Sequence, residues 1–158
     1  MTLYTVDMTI YFASDHRGFA LKNELVHYLS ATHSVVDCGN TIHDPKDDHI
    51  DFIKVLAEKM AHDPDSLGIV LCGSGCGVAI GANRYTHLRA TIGHNREQII
   101  ADCHEDLVNV LALGAEYITS ESAKIFVDLF INTKRGEEER YLRRATKFAQ
   151  LGTKVLLA

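Results

Sequence analysis

The chain has 158 residues, of which 46% are hydrophobic and 23% charged, and its formal net charge at pH 7 is −5. This length favours one domain over residues 1–158 that buries about two-thirds of the surface of the unfolded chain. The acidic balance argues against a nucleic-acid-binding or membrane-surface protein, which needs a basic face, but it is compatible with a small anionic substrate in a local positive pocket.

Apolar runs of strand length alternate with helical patterns along the chain. The predicted strands are Met8–Ala13, Ser34–Cys38, Ile69–Leu71, Arg89–Gly93 and Val108–Leu113. The predicted helices are Phe19–Leu29, Ile50–Ala61, Val78 to about Thr86, Asn95 to about Cys103, and Ser120–Asn132 with Ser120 as N-cap. This alternation predicts an α/β fold in which a five-stranded parallel sheet is covered by helices on both faces.

The stretch Gly68–Arg84 (GIVLCGSGCGVAIGANR) reads as strand, glycine loop and helix start. Such a loop brings backbone N–H groups close to an anion or a developing oxyanion, and the nearby helix end favours the thiolate form of Cys72. Neither common phosphate-loop pattern fits, since Val78 stands where a dinucleotide fingerprint needs glycine and Ser74 where a P-loop needs lysine. A tight turn with a buried structural cysteine is the alternative interpretation.

Polar loops follow several of the predicted strands. Ligands of parallel sheets bind at the carboxyl ends of the strands, so we expect a site where these loops meet. The segments expected at that edge are Asp15-His16-Arg17, Gly39-Asn40, Cys72 to Gly77, and His94-Asn95.

The C-terminal segment is strongly charged and predicts a helix over residues 137–150. Arg140 and Arg144 lie four residues apart and share one helix face, where two planar guanidinium groups suit a phosphate. The alternative is a solvated helix with Glu–Arg pairs. A narrow apolar stripe predicts docking onto a dimer partner; it consists of Tyr141, Leu142, Ala145 and Phe148.

No apolar run approaches the length of a membrane span. Residues 1–7 read as an N-terminal extension and lack the basic and apolar regions of a signal peptide. The four cysteines show no disulfide framework, so we expect reduced thiols and a cytoplasmic protein. Cys72 and Cys76 have a Cys-x₃-Cys spacing, but no second Cys/His pair completes a metal site.

Three ordered motifs resemble one family of sugar-phosphate isomerases, which contains the type B ribose-5-phosphate isomerases and the galactose-6-phosphate isomerase subunits. The motifs are Ser14–Lys22 (SDHRGFALK), Cys72–Gly77 (CGSGCG) followed by Ala82-Asn83-Arg84, and Asn109–Gly114 (NVLALG). The similarity runs from about Thr9 to Ala149. It implies a Rossmann-like three-layer sandwich, a homodimer or a tetramer built from dimers, active sites at the subunit interface, and no metal or cofactor.

The resemblance also implies aldose–ketose interconversion through an enediolate, with ribose 5-phosphate and ribulose 5-phosphate as the first choice of substrates. Cys72 would be the base between C1 and C2, Ser74 would assist proton movement between the two oxygens, and Asp15 would contact sugar hydroxyls. Loop N–H groups would hold the enediolate oxyanion. The residues of that loop are Gly73, Ser74, Gly75, Cys76 and Gly77.

The resemblance assigns the phosphate to His16 of one subunit and to Arg140 and Arg144 of the other. Asp106 belongs to the substrate-binding set. The family's ring-opening histidine is matched by Glu105 without a gap, or by His104 if the chain has a one-residue insertion, and both remain candidates.

Two other positions depart from the family pattern. His49-Ile50 stands where the family has a tyrosine-proline pair, and Glu116 stands where an arginine is common. These positions shape the sugar end of the pocket. Two alternatives therefore stay open, namely isomerisation of another sugar phosphate, such as a hexose 6-phosphate, and a non-catalytic sugar-phosphate-binding subunit.

Overall fold

The computed structural model describes residues 8–151, so the predicted extension at residues 1–7 lies outside the described residues. Strands and helices alternate along the chain as predicted. The strands are β1 (Thr9–Ser14), β2 (Ser34–Asp37), β3 (Leu67–Cys72), β4 (Ala90–Ile92) and β5 (Val110–Gly114). The helices are α1 (Phe19–Leu29), α2 (His49–Ala61), α3 (Cys76–Ala82), α4 (Arg96–Glu105), α5 (Ser120–Asn132) and α6 (Glu139–Leu151).

The strands form one parallel sheet in the order β2-β1-β3-β5-β4. The chain leaves β1 toward β2 on one side, whereas β3, β5 and β4 extend on the other. The boundary between β1 and β3 is therefore the topological switch point, where the loops after the two strands separate and leave a crevice. The loops that begin at Asp15 and Gly73 flank this crevice.

Strand β3 shows why the sheet is covered on both faces. Its side chains alternate, so that Ile69 and Leu71 pack with α1, α4 and α5, whereas Val70 and Cys72 pack with α2 and α3. All six residues of β3 are buried. The predicted three-layer α/β fold with a five-stranded parallel sheet is confirmed.

Several element boundaries differ from the predictions. Helix α3 ends at Ala82 rather than near Thr86, because the Asn83 side chain donates to the Ala90 carbonyl at 3.0 Å and accepts from the Ala90 N–H at 2.8 Å. The N-cap of α5 is Thr119 rather than Ser120, since the Thr119 hydroxyl accepts from the N–H of Ser122 at 3.2 Å.

Helix α6 begins two residues later than predicted, at Glu139. It is anchored on its own chain by Tyr141, which is 3% exposed, while its other large apolar side chains remain about half exposed. Docking onto a second copy stays a prediction. No helix within residues 8–151 combines the length and apolar character needed to cross a membrane.

Candidate active site

Cys72 ends β3 and is 5% exposed. Its side chain lies on the α2–α3 side of the sheet, next to the glycine loop. The N–H of Gly75 donates to Cys72 Sγ at 3.2 Å. This hydrogen bond holds the sulfur against the glycine loop.

The glycine loop is held tightly by the turn that follows β5. The N–H groups of Ala115 and Glu116 donate to the carbonyls of Cys72 and Gly73 at 2.9 and 3.0 Å. Gly75 has a φ of 79°, and a Cβ there would lie 3.0 Å from the backbone nitrogen of Gly114. Only glycine adopts this conformation at low cost, so the backbone conformation of the loop requires glycine at position 75.

Several donors of this loop remain available. The N–H groups of Ser74, Gly77 and Val78 have no acceptor within residues 8–151. The Ser74 side chain is exposed, and its hydroxyl accepts from the N–H of Cys76 at 3.3 Å. The loop therefore presents unpartnered N–H groups and one hydroxyl beside a buried thiol, which is an arrangement suited to an oxyanion.

Asp15 lies across the switch point from the glycine loop. It is 6% exposed, and its N–H donates to the Leu71 carbonyl at 3.4 Å, which links the loop after β1 to the end of β3. Its Oδ1 accepts from the N–H groups of Arg17 and Gly18 at 2.9 and 3.1 Å. Its Oδ2 has no hydrogen-bond partner within residues 8–151, so it can accept from a sugar hydroxyl.

His16 is held by Asp47, a residue that the sequence analysis did not identify. Asp47 Oδ1 accepts from both the backbone N–H and Nδ1 of His16, each at 2.8 Å. This hydrogen bond raises the pKa of His16, so the imidazolium persists to higher pH and Nε2 remains for an anion. Burial opposes ionisation of Asp47, but hydrogen bonds from His16 and Asn40 lower its pKa overall.

The same network continues into the core. Asn40 donates to Asp47 Oδ2 at 2.8 Å and accepts from the Ser14 hydroxyl at 3.1 Å. Lys22, which is fully buried, pairs with Asp37 and donates to the Asn40 carbonyl at 2.9 Å. The sequence contained one indication of this network, because Lys22 is a charged residue among the buried positions of the amphipathic helix α1.

Arg17 and Glu116 form a bidentate ion pair over Gly73. Glu116 raises the pKa of Arg17, and Arg17 in turn lowers the pKa of Glu116. A Cβ at Gly73 would lie 2.3 Å from Cζ of Arg17, so a side chain there would displace the guanidinium from this pairing. The carboxylate that replaces the family's common arginine therefore binds a cation at the rim of the loop, and this pairing was not predicted.

His49 also lies against the glycine loop, since a Cβ at Gly77 would be 2.6 Å from His49 Nε2. The next residue of α2, Ile50, packs against α3 one turn after Gly77: its Cδ1 would be 2.9 Å from a Cβ at Gly81. Both residues thus lie against the segment that runs from the glycine loop into α3, and their effect on the sugar pocket stays a prediction.

The remaining predicted site residues form a second group around Tyr141. The His104 ring lies 5.6 Å from the Tyr141 ring, and the guanidinium carbons of Arg140 and Arg144 lie 4.5 and 6.0 Å from it. His104 Nδ1 is 3.1 Å from the Lys134 carbonyl. We call His104, Arg140, Tyr141 and Arg144 the C-terminal cluster.

The C-terminal cluster lies at the edge of the sheet formed by the amino ends of the strands, whereas Cys72 lies at the edge formed by their carboxyl ends. Val110, at the start of β5, pairs with Gly68, whereas Cys72 pairs with Gly114 at the other end of the strands. Four residues of parallel strand span about 13 Å. His104 precedes β5, so one chain does not bring the C-terminal cluster to its own Cys72.

The segment between α4 and β5 bears on the open choice between His104 and Glu105. Glu105 is exposed and makes no hydrogen bond or ion pair within residues 8–151, whereas His104 is packed into the C-terminal cluster. Leu107 has a φ of 53°, which is uncommon for a branched residue. Leu107 directly follows the C-cap of α4, where a left-handed residue commonly ends a helix, so this conformation does not distinguish His104 from Glu105. Asp106 lines a separate cavity of about 730 Å³ beneath the end of α6.

The other cysteines differ from Cys72. All four thiols are free, and burial raises the pKa of Cys38 and of Cys103 to about 11. These two thiols therefore keep their protons at neutral pH and serve packing. Within residues 8–151, no group of three or more His, Cys, Asp or Glu side chains is arranged to hold a metal ion.

The chain is similar to known proteins over nearly its whole length. The family model described as "Ribose/Galactose Isomerase" matches residues 10–148. A probable ribose-5-phosphate isomerase B of Mycoplasma pneumoniae is 36% identical over 140 residues, covering 87% of this chain and 91% of the relative. A ribose-5-phosphate isomerase B of Mycolicibacterium paratuberculosis is 33% identical, and the match covers 90% of this chain and 91% of the relative.

Solved structures agree with this similarity. The crystal structure of ribose-5-phosphate isomerase B from Mycoplasma genitalium with bound ribulose-5-phosphate has a TM-score of 0.86 and 30% identity, and the match covers 93% of this chain and 97% of that one. The corresponding values for the Thermotoga maritima enzyme are a TM-score of 0.85, 30% identity, and coverage of 91% and 99%.

Proposed function

This chain belongs to the ribose/galactose isomerase family, and we propose from that membership that it interconverts ribose 5-phosphate and ribulose 5-phosphate with Cys72 as the base. It is a sugar-phosphate aldose–ketose isomerase. The observation that carries the choice of sugar is the match to the Mycoplasma genitalium enzyme, whose structure contains ribulose-5-phosphate.

The geometry around Cys72 supports the proton-transfer step. The thiolate removes the proton from C2 of the open-chain aldose, and the electron pair moves through C1 to the carbonyl oxygen. The unpartnered N–H groups of the loop from Gly73 to Gly77 stabilise the resulting enediolate. The proton of the O2 hydroxyl passes to O1, assisted by hydrogen bonds from the Ser74 hydroxyl to the two oxygens, and the thiol returns its proton to C1, which leaves the ketone at C2. Asp15 accepts hydrogen bonds from sugar hydroxyls.

The arginines that the family resemblance assigns to the phosphate lie away from this edge in their own chain. His16 lies beside Asp15, but Arg140 and Arg144 lie in the C-terminal cluster at the opposite edge of the sheet. We therefore assign the phosphate to His16 of one copy and to Arg140 and Arg144 of a second copy in a homodimer. Bidentate arginine contacts suit a phosphate, and closed two-fold symmetry would give two such sites.

Ring opening is assigned to His104 of the second copy. A ring-opening group must give a proton to the ring oxygen and take one from the anomeric hydroxyl, and imidazole does both near neutral pH. His104 lies beside the two arginines, whereas Glu105 is exposed and unpartnered within the described residues. Asp106 stays a prediction for the substrate-binding set, and the pairing of dimers into tetramers remains open.

His104→Ala should lose most activity on ribose 5-phosphate while retaining it on ribulose 5-phosphate, because only the former substrate needs its furanose opened. Initial rates in both directions measure this. Glu105→Ala is the matched control, and it should leave both rates near those of the unaltered enzyme. If Glu105→Ala produced the asymmetric loss instead, the assignment of His104 would be wrong.

The substrate itself is tested by turnover of the purified chain. We expect isomerisation of ribose 5-phosphate, detected by formation of the ketose, with a kcat/KM at least about ten times that for hexose 6-phosphates, because one extra carbon costs about 1–3 kcal/mol in a fitted pocket. If the enzyme preferred a hexose 6-phosphate, the proposed substrate would be wrong, but the proposed type of reaction would stand. Binding of sugar phosphates without turnover would instead support a non-catalytic subunit.

We also propose that the protein acts in the cytoplasm. Its four free thiols, of which Cys72 must stay reduced to act as a base, suit a reducing compartment.

A further inference from the structure

His49 is the first residue of α2 and its side chain is partly buried. Its ring lies against the glycine loop so closely that a Cβ at Gly77 would be 2.6 Å from Nε2 and 2.9 Å from Cε1. Gly77 therefore leaves the space that the imidazole fills. The edge of the ring that carries Nε2 is the part directed at the loop.

The topology puts His49 on the same side of the sheet as the Cys72 thiol. Helix α2 covers the face on which Val70 and Cys72 project, and Ile53, one turn after His49, packs in the same core cluster as Cys72. The helix runs antiparallel to the strands, so its first residue lies at their carboxyl ends. The imidazole, the thiol and the glycine loop thus converge on the crevice beside β3.

Neither ring nitrogen of His49 has a hydrogen-bond partner within residues 8–151. By contrast, one ring nitrogen is engaged in each of two other histidines: His16 Nδ1 binds Asp47 Oδ1 at 2.8 Å, and His104 Nδ1 lies 3.1 Å from the Lys134 carbonyl. The ring of His94, which follows β4, also has no hydrogen-bond partner within residues 8–151, but that side chain is exposed. The His43 ring packs edge-on against the rings of His16 and Phe19. A half-buried imidazole with an unpartnered nitrogen beside unpartnered loop N–H groups has the position of a group that meets a ligand.

We propose that His49 is a second acid–base residue of the isomerisation, acting on the oxygens of the substrate while Cys72 acts on its carbons. This inference rests on the proposed function. As the Cys72 thiolate takes the C2 proton, the His49 imidazolium gives its Nε2 proton to O1, which yields a neutral enediol. The neutral imidazole then takes the proton from the O2 hydroxyl as the Cys72 thiol returns its proton to C1. Both residues end the cycle in their starting protonation states.

This role distinguishes His49 from the loop donors. The N–H groups of the loop can stabilise a charged oxygen but cannot move a proton, and the Ser74 hydroxyl can hydrogen-bond the two oxygens but is neither an acid nor a base near neutral pH. An imidazole both donates and accepts near neutral pH, and a positioned acid–base group contributes about 10²–10⁴-fold to a rate. His49 would therefore affect kcat far more than substrate binding.

The test compares His49→Ala with His62→Ala, in which a histidine is removed from the opposite end of the same helix. The His62 ring binds the Glu58 carbonyl at 2.8 Å, outside the site. His49→Ala should lower kcat on ribose 5-phosphate by about 10²-fold or more while KM changes little, whereas His62→Ala should keep kcat. Added imidazole should restore part of the rate to His49→Ala and none to Cys72→Ala.

A second variant, His49→Gln, keeps the side-chain volume and a hydrogen-bonding amide but cannot transfer a proton at this pH. It should lose kcat as His49→Ala does, and circular dichroism should show both variants folded. An unchanged kcat in either folded variant, or a loss confined to KM and not rescued by imidazole, would overturn the role of His49. An inactive unaltered enzyme would overturn the proposed function and this inference together, so the two failures are distinguishable.

Discussion

Cys72→Ala is expected to abolish isomerisation, with a fall in kcat of at least about 10²–10⁴-fold, the contribution of a positioned acid–base group. The methyl group cannot accept the C2 proton, and the thiols of Cys38 and Cys103 are buried elsewhere in the core. Substrate binding should remain, because the loop N–H groups, Asp15 and the phosphate ligands are untouched. The measurements are turnover, exchange of the C1 and C2 protons with solvent deuterium, and sugar-phosphate affinity.

Cys38→Ala is the matched control, since this thiol is buried in the same core cluster as Cys72 but lies away from the glycine loop. It should lower stability modestly through lost packing and leave the rate of isomerisation intact. Near-normal proton exchange in folded Cys72→Ala would contradict the assignment of the base.

Two inactive variants should restore activity to each other when their chains are mixed. Cys72→Ala removes the base from one edge of the sheet, and Arg144→Ala removes a phosphate ligand from the C-terminal cluster at the other edge. A mixed dimer has one site that combines the intact Cys72 of one chain with the intact Arg144 of its partner copy. After random reassociation about a quarter of the original activity should return, because about half of the dimers are mixed and each has one complete site.

Cys72→Ala mixed with Asp15→Ala is the control for this experiment, because both residues lie at the same edge and no mixed site is complete. That mixture should stay inactive. If dimers of Cys72→Ala and Arg144→Ala demonstrably formed but had no activity, the arginines would not act across the interface, and each chain would have to hold its substrate by itself.

The alternation of strands and helices was readable from the sequence, because buried parallel strands need continuous apolar runs and the covering helices need one apolar face. The boundaries of the helices were harder to predict from the sequence. The end of α3 depends on the Asn83 side chain bonding the backbone of Ala90, seven residues away. A local pattern of apolar residues does not contain that contact.

The residues of the candidate site also divide into those that local sequence order indicates and those that depend on tertiary contacts. Cys72, Ser74 and the surrounding glycines were identifiable because a strand, a glycine loop and a helix start are contiguous in the chain and define a local geometry. Asp15 and His16 followed from their position at the end of the first strand. The two candidates His104 and Glu105 were also recognised, although adjacent residues could not be distinguished without knowing which of them packs against Tyr141.

The contacts of Asp47, Arg17 and His49 could not be predicted from the sequence, since they join distant segments of the chain. Asp47 meets His16 across 31 residues and Arg17 meets Glu116 across 99. These pairs exist because the parallel sheet brings the ends of separate strands to one edge, where loops of unrelated sequence become neighbours.

The sequence by itself predicted the fold class, which the structure confirms, and it singled out the thiol and the glycine loop that we propose as base and oxyanion site, because each depends on short-range order along the chain. Only the tertiary structure decided that the C-terminal cluster lies at the far edge of the sheet and that His49 lies beside Gly77. Both facts follow from strand register and helix direction, which place residues by the geometry of the whole sheet rather than by their separation in sequence.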